Sequence, residues 1–294
     1  MRACCSTAAV LCAIAIASSG RVTAALQASV EAVVARLDAY LVEYEPRLSE
    51  LIADEDMVQV IRRGVRSAGL DGVDFGTARG HRLQSEVAFV GLPDNAGWLG
   101  FRHVKKVNKR AVRDSESSLA SALASQGYGA ARRLLLEGAK HNLGLARTTN
   151  LPNLPLEFLH QRNRKRLMPR LEGVERVRGI DSVKVEFVER LTPTLIGNHN
   201  GNDMPSVILA WLDPNSGGLL RAEVRTFESA ETRALSSTIR VEFERDPKLD
   251  LLVPITMEES FPVPPPNSGS SAATYKNFRR FQTSARLVPP PGER

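Results

Sequence analysis

The chain has 294 residues, enough for a sizeable core, and its 39 Lys+Arg against 33 Asp+Glu give a formal charge of +6. That modest excess bears on solubility and on attraction to anionic surfaces, not on fold, and aromatic residues at 5% are too few for a base-stacking surface, so nucleic acid is set aside as a partner. The cysteines, Cys4, Cys5 and Cys12, all lie near the start, so the chain beyond them carries no disulfide framework, thiol nucleophile or thiolate-bound metal.

Residues 1–24 read as a secretory signal peptide. Arg2 precedes an apolar run from Thr7 to Ala17, polar Ser18-Ser19-Gly20 follow, and Val22-Thr23-Ala24 supply a cleavage site. The run is well short of the ~20 residues a membrane-spanning helix needs. Removing this segment takes away Arg2 and Arg21 and no acid, so the charge excess falls from +6 to +4. The expected product is exported, periplasmic or extracellular.

Residues 25–286 read as a single α+β domain, followed by a Pro-rich tail over 287–294. The segment 25–63 is expected to be helical, because Val30, Val33, Val34, Leu37, Leu41, Tyr44, Leu48 and Leu51 recur at helical spacing, with Pro46 kinking or splitting it. Gly64 to His81 reads as a loop. The first strands fall within 83–113: QSEVAFV, then a hairpin in GWLGFRHVKKVNKRAVRD that turns at Asn108-Lys109. A helical insertion follows over 114–144, capped by Asp114, broken at Gly127 and Gly129, and ended by Gly144. After an irregular stretch with Pro152, Pro155 and Pro169, a β-meander is expected over 174–284.

Within that meander, GIDSVKVEFVE and STIRVEFER alternate apolar with charged residues, whereas SVILAWL is apolar on both sides, as in a central strand. WLDPNSGGLLRAEV is a hairpin with a DPNSG turn. PVPPPNSGSS is expected to be a flexible loop. Seven to nine strands with one apolar face must curl over the helices. The expected fold is therefore α+β, a curved antiparallel sheet cupping a long N-terminal helix and a helical insertion.

LVEYEPRLSELIADEDMVQ, WLGFRHVKKVNKRAVRD, EGAKHNLGLARTTNLPNLPLEFL, PTLIGNHNGNDMP, WLDPNSGGLLRAEV, LLVPITMEESF and ATYKNFRRFQ together resemble an uncharacterised family of exported bacterial proteins, over nearly all of the chain beyond the leader. The order of strands around the WLDP hairpin is similar to the half-barrel of LolA-like periplasmic lipoprotein carriers. The first resemblance implies no activity. The second implies a half-barrel and a lipid or lipoprotein partner, but no ligand-gating residue transfers to this chain.

Candidate chemistry is sparse. Of five histidines, His81, His103, His141, His160 and His199, only His141 has a partner at i−4, Glu137. That pair lacks the second histidine of a metal-binding helix motif. A catalytic reading would need His141, Glu137 and Asp203 to converge. The loop GNHNGNDMP (197–205) is rich in oxygen ligands but lacks the closing acid of a calcium loop. No nucleophile elbow and no phosphate-cradling loop occurs. The chain reads as non-catalytic, with no metal and no cofactor. The run carrying Arg162, Arg164, Lys165, Arg166 and Arg170 is a solvated loop that offers at most weak contact with an anionic membrane surface.

The leading expectation is a concave, apolar sheet face that holds a hydrophobic ligand or a lipidated partner, lined by Trp98, Phe101, Val185, Phe187, Trp211, Val241 and Phe243. The alternatives are an interaction module whose core is filled and, behind it, a metal-dependent hydrolase.

Overall fold

The computed structural model describes residues 30–65, 74–91, 98–113, 128–144, 146–198, 200–264 and 267–280. The expected signal peptide, the capped start of the helical insertion, His199 and the Pro-rich tail lie outside these residues.

Helix α1 (30–48) forms where the i, i+3, i+4 stripe is strongest. Val30, Val33, Val34, Leu37, Leu41, Tyr44 and Leu48 are all buried, while Glu31, Arg36 and Glu43 face solvent. The helix runs two residues past Pro46 and stops, its last turn closed by Ser49, whose backbone N–H and hydroxyl both donate to the Glu45 carbonyl at 3.0 and 2.9 Å.

The continuation of that segment is not helical. Leu51–Val65 is strand β1, followed by β2 (Asp74–Gly91), β3 (Trp98–Val107) and a short β4 (Arg110–Ala111). The expected helix over 25–63 therefore ends at 48, and of the expected loop over 64–81 residues 64–65 close β1 and 74–81 open β2, the stretch between lying outside the described residues. The reason lies in β1's face assignment: its inward positions Ala53, Glu55, Met57 and Gln59 include two polar residues, and its outward positions include Ile52 and Val58. A strand with polar groups inside and apolar groups outside hides its period of two. The turn between β3 and β4 is as expected: Asn108 and Lys109 both have positive φ, 49° and 69°, as a two-residue hairpin loop requires.

From β4, at one edge of the sheet, the chain passes through α2 (Tyr128–Lys140), α3 (Leu154–Leu159) and a 3-10 turn (Gln161–Arg166) to the opposite edge. It then returns strand by strand through β5 (Leu167–Val177), β6 (Ile180–Glu189), β7 (Ser206–Leu212), β8 (Leu219–Phe227), β9 (Leu235–Asp246), β10 (Leu251–Phe261) and β11 (Ser268–Arg280). β11 pairs with β1, which makes one 11-stranded antiparallel sheet in the order β4-β3-β2-β1-β11-β10-β9-β8-β7-β6-β5. The sheet is open and curved, and the α+β class is as the sequence implied. The SGSS of the expected flexible loop opens β11.

Register shows how the sheet makes a core. Val185, Ala210, Ala222, Val241, Met257, Ala273, Met57 and Leu83 are successive cross-strand partners from β6 to β2, and all are buried. The adjacent row is Lys184, Trp211, Arg221, Glu242, Thr256, Thr274, Asp56 and Gln84. One face is apolar and concave; the other is a field of charge. The α1 stripe shares one continuous core with the apolar row.

Candidate functional site

The concave face is the candidate site, and α1 lies in it. Its apolar stripe packs against the inner residues of β6–β10, and Tyr44 stacks on Trp98 with ring centroids 6.3 Å apart. Polar fasteners sit around the rim. Arg36 Nη1 donates to the Pro214 carbonyl at 3.1 Å, and Arg47 Nη2 donates to the carbonyls of Leu249 and Asp250 at 2.8 and 2.9 Å. Arg164 pairs with Asp38, and His160 Nε2 lies 3.2 Å from Glu45 Oε2. The β7–β8 turn presses on the helix backbone: a Cβ on Gly217 would stand 2.5 Å from the Arg36 carbonyl oxygen, and its φ is +74°.

Of the seven residues expected to line the hollow, five face into this core. Trp98, Val185, Phe187, Val241 and Phe243 are at most 6% exposed, packed under α1, α3 and neighbouring strands. Their surroundings are filled. Phe101 lies on the other face, in a separate cluster with Ile52 and Ala88 against Leu134 and Leu135 of α2. Its spacing of three from Trp98 forces this, because side chains of a strand alternate. Trp211 is also on the charged face, beneath Lys184 and Arg221 at 5.0 and 5.3 Å from its ring, with its indole N–H donating to Glu175 Oε2 at 2.8 Å. The strand SVILAWL is apolar on both faces, so its parity is unreadable from sequence.

What the sequence reading missed is a polar strip inside the concave face. Glu55 and Arg102 form a buried bidentate ion pair, Nε–Oε2 2.6 Å and Nη2–Oε1 2.8 Å, and the Tyr275 hydroxyl donates to Glu55 Oε1 at 3.1 Å. Arg102 also donates to the side chain and carbonyl of Asn150 at 3.1 and 2.7 Å. Asn150 and Gln59 in turn both donate to Asn142 Oδ1, at 2.7 and 2.9 Å. A second pair, Arg147 with Glu259 at 2.8 Å, is braced by Ser271 and by Phe261 beneath the guanidinium. The strip fastens the 142–151 segment to β1, β3 and β10, with β11 bracing Glu55 and Glu259 from behind. Burial drives the Tyr275 hydroxyl well above its ordinary pKa, and the neighbouring Glu55 carboxylate adds to the rise.

Next to this strip, a pocket of about 270 Å³ opens at the rim. Val224, Ile239, Ile196 and Met204 give it apolar walls, and Arg147 and Glu259 a polar one. Its volume falls just short of the ~300–1,000 Å³ of small-molecule sites.

The other sequence candidates do not come together. Glu137 pairs with Lys140; His141 is lowered in pKa by burial and stands against His81. Asp203 accepts instead from the Thr194 backbone at 2.6 Å and bridges to Gly197. In the 197–205 loop, Asn198 Oδ1 accepts from the N–H groups of Asn200 and Asn202 at 2.9 and 3.0 Å, so this oxygen closes the loop on itself. Among the described residues no three or more His, Cys, Asp or Glu side chains cluster as metal ligands. The basic run is largely engaged: Arg162 with Glu157, Arg164 with Asp38, Arg166 with Glu189, and Arg170 with Glu172 and Glu186. Among the described residues no helix is long and apolar enough to cross a membrane.

The architecture defines a class: a single open antiparallel sheet whose concave face is occupied by helices. No protein-family model matches the chain, and no curated protein matches it by sequence. Solved structures do. A DUF1329 family protein from Desulfovibrio piger is similar with a TM-score of 0.42 at 13% identity, over 87% of this chain and 92% of that one. A putative outer membrane lipoprotein-sorting protein domain from Vibrio parahaemolyticus gives 0.38 at 13%, over 84% and 92%. A LolA superfamily protein from Nitrosomonas europaea gives 0.31 at 12%, over 88% and 94%.

Proposed function

We propose that this protein is a non-catalytic, carrier-type binder of the cell envelope that takes an acyl chain or a similar apolar segment onto its concave sheet face. The observation that carries the reading is the way that face is covered. An amphipathic helix, joined to the sheet by one short connection at Ser49-Glu50, covers much of it and is fastened by polar contacts at its rim, while a small pocket walled by the 146–149 segment, Val224 and Ile239 opens elsewhere at the rim. The pocket is too small for a long chain, so cargo enters by taking the place of α1 contacts. Seven buried apolar side chains on α1, at about 1.5–3 kcal/mol each, set a cost of about 10–20 kcal/mol that the incoming apolar surface must largely replace. Trp98, Val185, Phe187, Val241 and Phe243 would be the wall against which cargo lies. Phe101 and Trp211, on the other face, would not.

The competing reading is an interaction module with a permanently filled core, and the close packing of the α1 stripe favours it. One experiment separates them. A fluorescent fatty acid is titrated against the protein and against an Arg36→Cys/Asn215→Cys variant whose α1 is clamped to the β7–β8 turn by a bis-maleimide. The carrier reading expects saturable binding that the clamp abolishes. Binding that is absent in both supports the filled core.

A further inference from the structure

Beside the apolar stripe of α1 runs a polar one. Arg36, Tyr40, Glu43 and Arg47 recur at i, i+4, i+7 and i+11, so they follow one edge of the helix where it meets the sheet. Facing them are the β7–β8 turn at Asn215-Ser216 and the β9–β10 turn with Arg245 and Asp250 before and after it. Together they wall a groove of about 440 Å³, within the range of small-molecule sites.

The charges of this groove are only half matched. Glu43 and Arg47 stand in the favourable i, i+4 order, acid before base, yet they form no ion pair. Arg47 turns away to the carbonyls of Leu249 and Asp250, and the exposed Glu43 carboxylate has no partner among the described residues. Arg36 has no carboxylate either and reaches only the Pro214 carbonyl. Arg245 holds Asp250 Oδ1 at 2.6 Å, and its Nη1 also approaches the Asp250 carbonyl oxygen at 3.5 Å, the same oxygen that Arg47 Nη2 reaches at 2.9 Å. Two guanidiniums thus converge on one neutral acceptor. Each of the three arginines spends a single nitrogen on the protein, and the rest of its donors have no partner among the described residues.

Tyr40 stands among them, its ring stacked on Tyr44 at 5.1 Å and its hydroxyl without a partner among the described residues. Burial raises its pKa, and the nearby charges of Arg245 and Arg47 only partly offset the rise, so the hydroxyl stays a neutral donor.

We infer that this groove binds a phosphate group carrying a primary amine, the chemistry of a phosphoethanolamine head. The spare donors of Arg36, Arg47 and Arg245 and the Tyr40 hydroxyl take the phosphate oxygens, and Glu43 takes the ammonium. A plain anion leaves Glu43 opposing it, and a plain cation meets three guanidiniums. A ligand with both charges answers both. The groove lies at the rim, outside the apolar wall, so the head binds whether or not an acyl chain displaces α1, and this inference stands or falls apart from the carrier reading.

The test is a titration of O-phosphoethanolamine, inorganic phosphate and ethanolamine into the isotopically labelled protein, read from amide chemical shifts. Phosphoethanolamine should saturate at lower concentration than either of the others, with shifts centred on 36–47, 215–216 and 245–252. Glu43→Gln should weaken phosphoethanolamine about threefold and tighten inorganic phosphate by a similar factor, opposite effects that a folding defect does not produce. Arg245→Gln and Tyr40→Phe, neither of which removes a hydrogen bond that fastens α1, should each weaken both phosphates about threefold to tenfold. A lysophosphatidylethanolamine below its micelle concentration tells the source: tighter binding than the free head supports the site as one for lipid, and equal binding supports it as one for a soluble phosphate ester. No saturable binding, shifts centred elsewhere, phosphate bound as tightly as phosphoethanolamine, or a change in the same direction for both ligands in Glu43→Gln would each overturn the assignment.

Discussion

Replacing Arg102 by methionine tests whether the polar strip inside the concave face holds the fold together. Arg102 and Glu55 are 4% and 3% exposed, and the Glu55 carboxylate accepts from Arg102 and Tyr275. Methionine keeps much of the volume and removes the charge. Glu55 is then left buried with the Tyr275 hydrogen bond alone, and Asn150 loses two donors. Breaking one partner of a buried pair costs about 3–5 kcal/mol, most of it the penalty on the charge that remains.

The double variant Glu55→Leu/Arg102→Met removes both charges. It leaves only the Tyr275 hydroxyl and Asn150 short of partners, at about 1–3 kcal/mol. It should therefore be no less stable than Arg102→Met alone, with a coupling energy of at least about 2 kcal/mol. Urea denaturation measures both values, and amide exchange over 142–151 should quicken in the single variant because Asn150 and Asn142 are tied through Arg102. A single-variant cost under about 1 kcal/mol, or additivity of the two substitutions, would refute the idea that the ion pair is dry and shared.

Three further outcomes follow from the seat of α1. Glu45, on the helix face toward α3, is pushed up to about 7 by burial, which the Trp98 hydrogen bond and the Arg162 charge only partly offset. A raised acid costs nothing below about pH 4.5 and its full penalty above about 7, so Glu45→Gln should stabilise the protein at pH 8 by about 1–2 kcal/mol, after discounting for partial exposure, with the gain gone by pH 4.5 in urea melts. His160 runs the other way: burial lowers its pKa and its Nδ1 accepts from the Arg162 N–H at 3.1 Å, so stability should fall as pH drops below about 6.5, and His160→Gln should remove that limb. Leu41→Ala, at a 2% exposed position, should cost about 2–5 kcal/mol and, if cargo displaces α1, tighten fatty-acid binding at least about tenfold, whereas a filled core predicts the stability loss alone.

How much of this was legible in the sequence depends on whether a residue's partners were near it in the chain. The meander from β6 to β9 was readable because β6, β8 and β9 alternate apolar with charged residues, β7 is apolar throughout as a central strand is, and the β7–β8 turn carries its own chemistry. β1 was not, because Glu55 and Gln59 are inward: their partners, Arg102 and Asn142, are 47 and 83 residues away, and without them two polar side chains read as the wet face of a helix. The same blindness affects charge. Arg164 and Arg166 belong to a dense basic run, yet Asp38 and Glu189 neutralise them from other elements.

The concave face shows the limit most clearly. Apolar parity told which side of most strands faces inward, and the odd spacing of Trp98 and Phe101 already separated those two. Neither rule says whether the space opposite is empty, because an amphipathic helix and an acyl chain satisfy an apolar wall by the same loss of water contact. Under the proposed carrier function, that equivalence lets the α1 stripe and a ligand compete for one surface. The helix differs from a lipid in its rim: Arg36, Arg47, Asp38 and Glu45 make directional contacts that an acyl chain cannot replace. If cargo displaces α1 as proposed, exchange is decided at those few polar points, not across the apolar wall, and loosening them should shift the balance toward cargo more than any change to Val185 or Phe187.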